Sequence, residues 1–454
     1  MFTKWIAIGL VLVSSAFAQN VRITWVGQAC FYIQTDSGTT VVVDPPAASI
    51  GYTLPDTTAD VVTISHNHPD HNNSAGVRGA FTLVDGRTVT SRTETTASGL
   101  TFVEIPGFHD NANGSIRGPN TIIQWTQGGL RFAHFGDYGQ DALTDAQLED
   151  LRNLDVLMVP AGGVLTASGQ QIASIVDQLK PHLAILMHYR TAIGGPAQLA
   201  GHPAVTAPFS QVRYKPASVT LSRATLPSST EVWVMEPAME AIATPSAGFT
   251  PGMPVAPAGI VSLFGSFPGS TSGGYTATPL PRKIGETEVF VGTIAVPLYY
   301  VSPLQINFQM PANQAPGQDA AEVRINGQRV ARGVVTTLAR SPGLFIALDQ
   351  QGRVGRVRRG DYLTIYGSGP GAVSPALAEG IAPPLDPLST TTAAPTIRLG
   401  NRELQPSFTG MAPGYPGLWQ INVQVPADAA PGATDVSVLF DASLPSNVLS
   451  IAIE

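Results

Sequence analysis

The stretch that decides the fold of the first half of this chain is VVTISHNHPDH, residues 61–71. Its apolar run Val61–Ile64 predicts a buried strand, and three histidines and one aspartate follow within residues 66–71. A strand end delivers such side chains to the edge of a sheet, where concave sites form. Histidine nitrogen and carboxylate oxygen are ligands that zinc and similar metal ions accept. The segment therefore predicts a metal centre.

The spacing within this segment favours two metal ions. In an extended stretch, His66 and His68 point to the same side and can bind one ion. Asp70 and His71 follow Pro69 and are free to serve a second ion nearby. The alternative is a chance group of surface or core histidines. The whole chain has eight histidines, so finding three of them in six positions is poorly explained by chance.

Two coordination shells need more ligands than one loop supplies, so the others must come from other strand ends. His109, Asp137 and His188 each follow an apolar, strand-like run. Each of them taken alone could instead be a structural residue. The predicted metal ligands are His66, His68, Asp70, His71, His109, Asp137 and His188.

The other histidines are weaker candidates. His134, His182 and His202 are interpreted as structural residues, with His134 placed to support Asp137 from behind. All eight histidines precede residue 203, so the C-terminal half is predicted to be non-catalytic.

The pattern around these residues alternates strands and helices. Residues 21–26, 30–35 and 39–43 predict three consecutive strands, and residues 120–125 and 130–135 predict a hairpin. Two helices are predicted from capping boxes. Thr144 with Gln147 predicts a helix to about Leu154, and Ser168 with Gln171 predicts the next. Such a succession suits a sandwich in which helices cover the outer faces of two stacked sheets.

The second half has a different pattern. Residues 241–259 are rich in Pro and Gly and predict a linker. Beyond them, residues 264–269 recur at 366–371, and LQINFQ at 304–309 recurs as WQINVQ at 419–424. The repeat predicts two related β-sandwich units. The predicted parts are a signal peptide at 1–18, a hydrolase domain at 19–240, the linker at 241–259, and β-sandwich units at 260–350 and 351–454.

The N-terminus has the form of a secretory signal. Lys4 precedes an apolar run, and small residues end at Ala18, where cleavage is predicted. The run is shorter than the roughly 20 residues that span a bilayer, so no transmembrane anchor is expected after processing. We expect an exported protein, either periplasmic or extracellular.

Composition limits the partners. A formal net charge of −7 argues against nucleic acid. The single cysteine, Cys30, cannot form an internal disulfide and is interpreted as a buried, inert thiol. A basic run at 353–359 is interpreted as a solvated linker, with an anionic surface as the alternative partner.

HNHPDH at 66–71 matches the HxHxDH motif, and VVVDPP at 41–46 and HFGDYG at 134–139 accompany it. With these motifs the chain resembles the metallo-β-lactamase superfamily over about residues 20–240. It most resembles the branch that contains ascorbate-phosphate lactonases, through WVGQACFYI, PGFHD, GPNTI and LMHY. The resemblance implies His66, His68 and His109 on one metal, Asp70, His71 and His188 on the other, Asp137 bridging them, and Asp44 in support.

Two sites depart from that branch. Gln28 stands where a histidine is frequent, and Asn72 and Asn73 stand where Leu-Asp marks phospholipase D-like relatives.

The second half of the chain has a resemblance of its own. Residues 305–311 (QINFQMP), PGLF and IYGSGPG resemble a C-terminal domain of exported acidobacterial proteins, which implies an immunoglobulin-like β module. The predicted fold class is thus α/β: an αββα metallo-β-lactamase sandwich followed by all-β immunoglobulin-like sandwich units.

The leading hypothesis is an exported metal-dependent hydrolase in which two divalent ions share a water, lower its pKa and present a bridging hydroxide. Zinc is the expected ion, and the N/O ligand set also admits manganese or iron. Asp70 is the predicted catalytic residue, orienting the nucleophile. Tyr138 and Tyr189 lie near ligands in the sequence but are interpreted as packing residues.

The resemblance implies a small-molecule lactone or other ester as substrate. The alternatives are a phosphodiesterase of the same fold and a non-catalytic exported binding or surface protein, whose β units contact polysaccharide or a protein partner.

Overall fold

The computed structural model describes residues 19–164, 166–239, 241–275, 277–440 and 444–454. The predicted signal peptide lies outside the described residues. None of the helices in the described part has the length and apolar character needed to cross a membrane. The elements of the first domain are β1 (Val21–Gly27), β2 (Cys30–Thr35), β3 (Thr40–Val43), β4 (Val61–Ile64), β5 (Thr82–Asp85), β6 (Thr93–Ala97), β7 (Leu100–Phe108), β8 (Pro119–Gln127), β9 (Leu130–His134), α1 (Asp145–Asp150), β10 (Val156–Pro160), α2 (Gly169–Leu179), β11 (Leu183–Met187), β12 (Arg213–Lys215), β13 (Ser218–Leu221) and β14 (Glu231–Met235).

These strands form two sheets. The first has the order β13-β1-β2-β3-β4-β5 and the second β12-β14-β11-β10-β9-β8-β7-β6. One apolar core joins them, with Phe31 and Val41 from the first sheet and Trp125 and Phe132 from the second. Strands β9, β10, β11 and β14 are parallel neighbours, so their carboxyl ends share one edge.

Both predicted capping boxes are present. Thr144 Oγ1 accepts from Gln147 N, and Gln147 Oε1 accepts from Thr144 N. The same exchange joins Ser168 and Gln171 at the start of α2. Helix α1 ends at Asp150, earlier than predicted, because the chain turns through Asn153 in a left-handed conformation (φ 56°) before β10.

The description of the first domain as αββα needs correction. Both α-helices of the described residues connect strands of the second sheet. The loops that connect strands of the first sheet contain only short 3-10 turns, Ala48–Ile50 and Ser74–Gly76. No second helical layer therefore covers the first sheet within the described part of the chain.

The outer face of the first sheet is covered in another way. Side chains alternate along its strands, so Val41 and Val43 face the inner core while Val42 belongs to a separate outer cluster. Val334 from a later domain is buried in that outer cluster, and Ala320 packs against it. A β-sandwich thus takes the place of the missing helices.

From residue 241 onward, the described residues contain strands in four sheets. The strands are β15 (Ala241–Pro245), β16 (Ile260–Gly265), β17 (Gly273–Gly274), β18 (Lys283–Ile284), β19 (Thr287–Val291), β20 (Ile294–Ala295), β21 (Leu298–Val301), β22 (Gln305–Gln309), β23 (Gly317–Ile325), β24 (Gln328–Thr337), β25 (Gly343–Leu348), β26 (Arg356–Val357), β27 (Tyr362–Ser368), β28 (Val373–Ser374), β29 (Thr390–Thr391), β30 (Thr396–Leu399), β31 (Arg402–Leu404), β32 (Phe408–Met411), β33 (Trp419–Gln424), β34 (Gly432–Leu439) and β35 (Leu449–Ile453). Their sheets have the orders β15-β16-β22-β21-β17, β18-β19-β23-β24 with β20 beside β19, β25-β27-β33-β32-β29-β28, and β26-β35-β34-β30-β31.

The repeated sequence segments have equivalent places in two sandwiches. In the first, β16 pairs with β22 and Phe264 lies opposite Gln305. In the second, β27 pairs with β33 and Tyr366 lies opposite Gln420. Each sandwich has its own apolar core.

Two predicted boundaries are wrong. Residues 241–245 do not belong to a linker, because they form β15 and pair with β16 along its whole length. The second sandwich begins before residue 351, since β25 pairs with β27. The Pro and Gly signals mark turns between strands that the sequence alone does not reveal.

Glu236 follows β14 directly and is buried. Burial raises the pKa of its carboxyl group from 4.5 to about 8. The folded state therefore holds a proton that the unfolded state releases above about pH 4.5, and the free energy of unfolding falls as the pH rises from there to about 8.

We predict that Glu236→Gln removes this fall in the free energy of unfolding with rising pH. Its free energy of unfolding should exceed that of the wild type by up to a few kcal/mol above pH 8, because each pKa unit corresponds to about 1.4 kcal/mol. The difference should nearly vanish below pH 4.5. Urea unfolding across this range measures it, with Glu149→Gln at an exposed position as the control. A difference that does not change with pH would contradict the prediction.

The buried position of Val334 predicts that the sandwich stabilises the first domain. Val334→Asp should lower the free energy of unfolding by about 3 kcal/mol or more, because it buries an unpaired charge between domains. Val354→Asp is the matched control, since Val354 is 62% exposed. Equal stability of the two variants in urea would contradict a stabilising contact at this face.

Candidate metal centre

The predicted ligands meet at one edge of the stacked sheets. His66, Asp70 and His71 lie in the loop after β4, and His109 follows β7. Asp137 and His188 follow β9 and β11. Strand β7 is antiparallel to β8 and β8 to β9, so β7, β9 and β11 all end at this edge. The edge gathers side chains that are far apart in the sequence.

The first cluster contains His66, His68, His109 and Asp137, whose ligand atoms all lie within 4.8 Å of one another. His66 Nε2 is 3.0 Å from His68 Nδ1. His109 Nε2 is 2.9 Å from Asp137 Oδ2, and His66 Nε2 is 3.7 Å from the same oxygen. Three imidazole nitrogens and one carboxylate oxygen therefore converge.

The second cluster contains Asp70, His71, His188 and the same Asp137, within the same limit of 4.8 Å. Here Asp137 uses its other oxygen: Oδ1 lies 3.2 Å from His71 Nε2 and 3.0 Å from His188 Nε2. Asp70 Oδ2 lies 3.5 Å and 3.4 Å from the same two nitrogens. The Asp137 carboxylate thus lies between the clusters, with one oxygen facing each.

Several of these atoms lack hydrogen-bond partners. His71 Nε2, His188 Nε2 and Asp137 Oδ1 are buried and make no hydrogen bond. An unpartnered buried polar atom costs roughly 1–3 kcal/mol. The donor set of imidazole nitrogen and carboxylate oxygen suits zinc and related divalent ions. The residues of both clusters therefore fit a bound cation.

Asp44 fixes two of the histidines. Its carboxylate accepts from His71 Nδ1 (2.8 Å) and from Ser65 Oγ (2.5 Å). Because the Ser65 hydroxyl proton goes to Asp44, Ser65 Oγ accepts from His66 Nδ1 (2.9 Å). Asp44 thus orients His71 directly and His66 through Ser65, and both rings direct Nε2 toward the clusters. This supporting role of Asp44 agrees with the one that the resemblance implies.

Electrostatics favour positive charge between the clusters. Burial raises the pKa of Asp137, but His188 and His71 lower it by more, so it lies well below its usual value. Burial lowers the pKa of His71, but Asp137 and Asp70 raise it by more. Burial, with His71, holds the pKa of His66 well below its usual value, so His66 is a neutral ligand at pH 7.

The backbone around Asp137 is tightly packed. Asn120 Oδ1 accepts from Asp137 N (2.9 Å), and Asn120 Nδ2 donates to Phe135 O. Gly136 has φ 53°, and a Cβ atom there would lie 2.3 Å from Asn120 Oδ1 and 2.6 Å from Ser65 Oγ. Only glycine fits at this position.

Three supporting residues were not predicted as part of the site. Asp110 accepts four backbone N–H groups of residues 112–117 and so fixes the loop after His109. Asn120 fixes Asp137. Gln28 Nε2 donates to Asp70 Oδ2 (2.8 Å). For Gln28 and Asn120 the available signal was a polar residue within an otherwise apolar or strand-like run, whereas Asp110 lies in a polar loop.

The residues left out of the predicted site lie elsewhere or support it. His134 Nε2 donates to Ala29 O, and His134 Nδ1 accepts from Gly136 N. His182 contacts Pro227 O and His202 contacts Tyr214 Oη. Cys30 is fully buried, and burial raises the pKa of its thiol well above the usual value.

Known proteins are similar to the part of the chain that holds this site. A family model described as a β-lactamase superfamily domain matches residues 22–188, a range that contains all seven predicted ligands. A UPF0173 protein of Pyrococcus furiosus is 30% identical over 192 residues, which cover 38% of this chain and 84% of the relative. A second, from Pyrococcus abyssi, is 31% identical over 200 residues, covering 39% and 88%.

A UPF0173 metal-dependent hydrolase of Methanopyrus kandleri is 26% identical over 199 residues, covering 38% of this chain and 85% of the relative. Among solved structures, a metallo-β-lactamase superfamily protein of Thermotoga maritima is 30% identical, covers 47% of this chain and 98% of its own, and has a TM-score of 0.39.

The contacts of Asp44 predict that Asp44→Asn weakens metal binding. The carboxylate accepts three hydrogen bonds, from Ser65 N on Oδ1 and from Ser65 Oγ and His71 Nδ1 on Oδ2. An amide has an NH2 group in place of one oxygen and cannot accept all three, so Ser65 or the His71 ring loses its partner. Loss of such a support costs 10–100-fold in metal affinity. Titration with zinc against a competing chelator measures the change. Asp56→Asn is the control, since Asp56 is 84% exposed and pairs with Arg78. Equal zinc affinity in both variants would contradict the role of Asp44.

Proposed function

Because this chain belongs to the metallo-β-lactamase superfamily and is a metal-dependent hydrolase, we propose that its first domain cleaves a lactone or other ester at a centre that binds two divalent cations. The observation that carries the proposal is the position of Asp137, whose two oxygens face two separate groups of ligand atoms, while three atoms of the second group, His71 Nε2, His188 Nε2 and Asp137 Oδ1, have no hydrogen-bond partner. If Asp137 served only to form a buried ion pair, one of these two groups of ligand atoms would be enough.

Each cluster provides the ligands for one cation. His66, His68 and His109 would hold the first, and Asp70, His71 and His188 the second, with Asp137 shared. When bound, the cations supply Lewis acidity to the substrate oxygen and lower the pKa of water. We propose zinc, and metal analysis distinguishes it from manganese and iron.

Asp70 is the proposed catalytic residue. The neighbouring His71 and His188 overcome the effect of burial and hold the pKa of its carboxyl group far below the usual value, so it stays ionised and accepts hydrogen bonds. Its contacts within the described residues involve Oδ2, from Gln28, His71 and His188. We assign Oδ1 to orient the attacking water. The side chain is 14% exposed, so water reaches it.

The open side of the centre is where substrate would enter. Asn67 and Pro69 are exposed, His68 is partly exposed, and all three belong to the loop that carries Asp70. Tyr138 and Tyr189 are fully buried, and Tyr189 Oη donates to Met235 O. These two tyrosines cannot reach a substrate, so neither is assigned as the proton donor to the leaving group.

Asn72 and Asn73 also have structural contacts. Asn72 Nδ2 donates to Asn67 Oδ1, and Asn73 Nδ2 donates to Pro46 O. Both hold the ligand loop in place. Their contacts point to no particular substrate. The proposed class, an ester or lactone, comes from the family resemblance, and a phosphodiester is an outcome of the test.

We further propose export from the cell, on the strength of the signal-like residues 1–18. The two β-sandwiches provide further surface for a polysaccharide or protein partner outside the cell.

The proposed function predicts that His68→Ala abolishes hydrolysis. His68 is the most exposed histidine of the centre, so its removal should disturb the fold least. The full chain, loaded with zinc, is tested on a panel of lactones, linear esters and phosphodiesters. We expect turnover of a lactone or ester by the wild type and at least a 100-fold loss in the variant, because one cation loses a ligand.

His182→Ala is the matched control, since this histidine lies at the opposite end of β11 and is 42% exposed. It should retain wild-type activity. Turnover confined to phosphodiesters would overturn the proposed substrate class. Metal-free wild type, or equal rates in all three proteins, would instead favour the non-catalytic binding protein.

A further inference from the structure

Gln28 occupies an unusual position in the turn between β1 and β2. It is fully buried and adopts a left-handed backbone conformation with φ 52°. Such a conformation is uncommon for a residue other than glycine and costs of order 1 kcal/mol. The pairing of β1 with β2 is also irregular here, between Trp25 and Gly27. The turn thus directs a buried amide toward the edge of the sheet that holds the metal centre.

Gln28 contacts two ligands of the second cluster. Its side-chain Nε2 donates to Asp70 Oδ2 at 2.8 Å. Its backbone carbonyl accepts from His188 N at 2.9 Å and from Trp25 Nε1 at 3.1 Å. His188 also has a left-handed backbone conformation, with φ 50°, and its hydrogen bond to the Gln28 carbonyl helps to hold it there. One residue therefore joins Asp70 and His188, which are far apart in the sequence.

The side-chain contact is specific. Gln28 Oε1 is buried and has no hydrogen-bond partner, so the orientation of the amide is set by Asp70. The opposite orientation would place Oε1 against the Asp70 carboxylate, which is unfavourable because both are acceptors. A neutral amide donor fixes the carboxylate without adding charge to the cluster.

The first cluster has a separate support. His66 is oriented by Ser65 and Asp44, and the loop after His109 by Asp110. In the described part of the chain, the hydrogen bonds of Gln28 reach no ligand that belongs to the first cluster alone. Loss of its amide should therefore affect the two clusters unequally.

We propose that Gln28 is a positioning residue for the second cation: its amide orients Asp70, and its backbone carbonyl places His188. The inference rests on the proposed function, because it requires that the second cluster binds a cation.

The test uses Gln28→Met in the full chain, because methionine keeps the volume and the backbone carbonyl but lacks the amide. Gln28→Asn is a second variant: asparagine tolerates a positive φ and withdraws the amide from Asp70. Gln127→Met is the matched control. Gln127 is buried and donates to Ile33 O and Thr39 O, at the strand ends opposite the centre.

Each protein is stripped of metal and titrated with zinc against a competing chelator, and bound zinc is counted by atomic emission. We expect two zinc ions in the wild type. In both Gln28 variants the second ion should bind 10–100-fold more weakly and the first within twofold of the wild type. Gln127→Met should lower the unfolding temperature and leave both affinities unchanged.

Unchanged affinity for both ions in the Gln28 variants would overturn the inference, and so would an equal loss at both sites. Either result leaves the proposed function intact, provided that the wild type binds two ions. A wild type that binds no zinc, manganese or iron would overturn the proposed function and this inference together.

Discussion

The carboxylate of Asp137 is the constraint on which the rest of the structure depends. It is buried between two groups of imidazole nitrogens and has one oxygen directed at each. Without a positive charge nearby, a buried carboxylate is unfavourable by several kcal/mol. The lowered pKa of Asp137 and the raised pKa of His71 both express the same preference of this pocket for positive charge. A bound cation satisfies that preference and the unpartnered nitrogens together.

The fold places the ligand side chains around Asp137 because they follow the ends of strands that meet at one edge. Parallel neighbours in the second sheet end at one edge, and β4 of the first sheet ends opposite them. Each ligand is then fixed by a partner just behind it: Asn120 behind Asp137, Asp44 behind His71, Gln28 behind Asp70. These partners are themselves buried.

The sequence predicted well which side chains meet at this edge and poorly which residues support them, for one physical reason. HNHPDH is local, and His109, Asp137 and His188 each follow an apolar strand, so elementary strand geometry suffices to bring them together. The contact between Gln28 and Asp70 spans 42 residues and depends on how two loops approach, which no local pattern encodes. The capping boxes were predictable because each lies within four residues. The second helical layer was expected from the succession of strands and helices, but the loops between β3, β4 and β5 of the first sheet contain only 3-10 turns.

The two sandwich units reveal why the second half of the chain is not independent of the first. Counting from the equivalent glycines Gly317 and Gly432, Ala320 corresponds to Asp435. Ala320 pairs with Val334, and Asp435 pairs with Ser450. In the first unit this pair is apolar and packs against the outer cluster of the first sheet, whereas in the second unit it is polar and exposed. Two copies of one framework therefore differ at the face that meets the hydrolase domain. Because an apolar pair at this face is useful only where a neighbour covers it, the first sandwich is a structural part of the hydrolase, and the second is free to face solvent there.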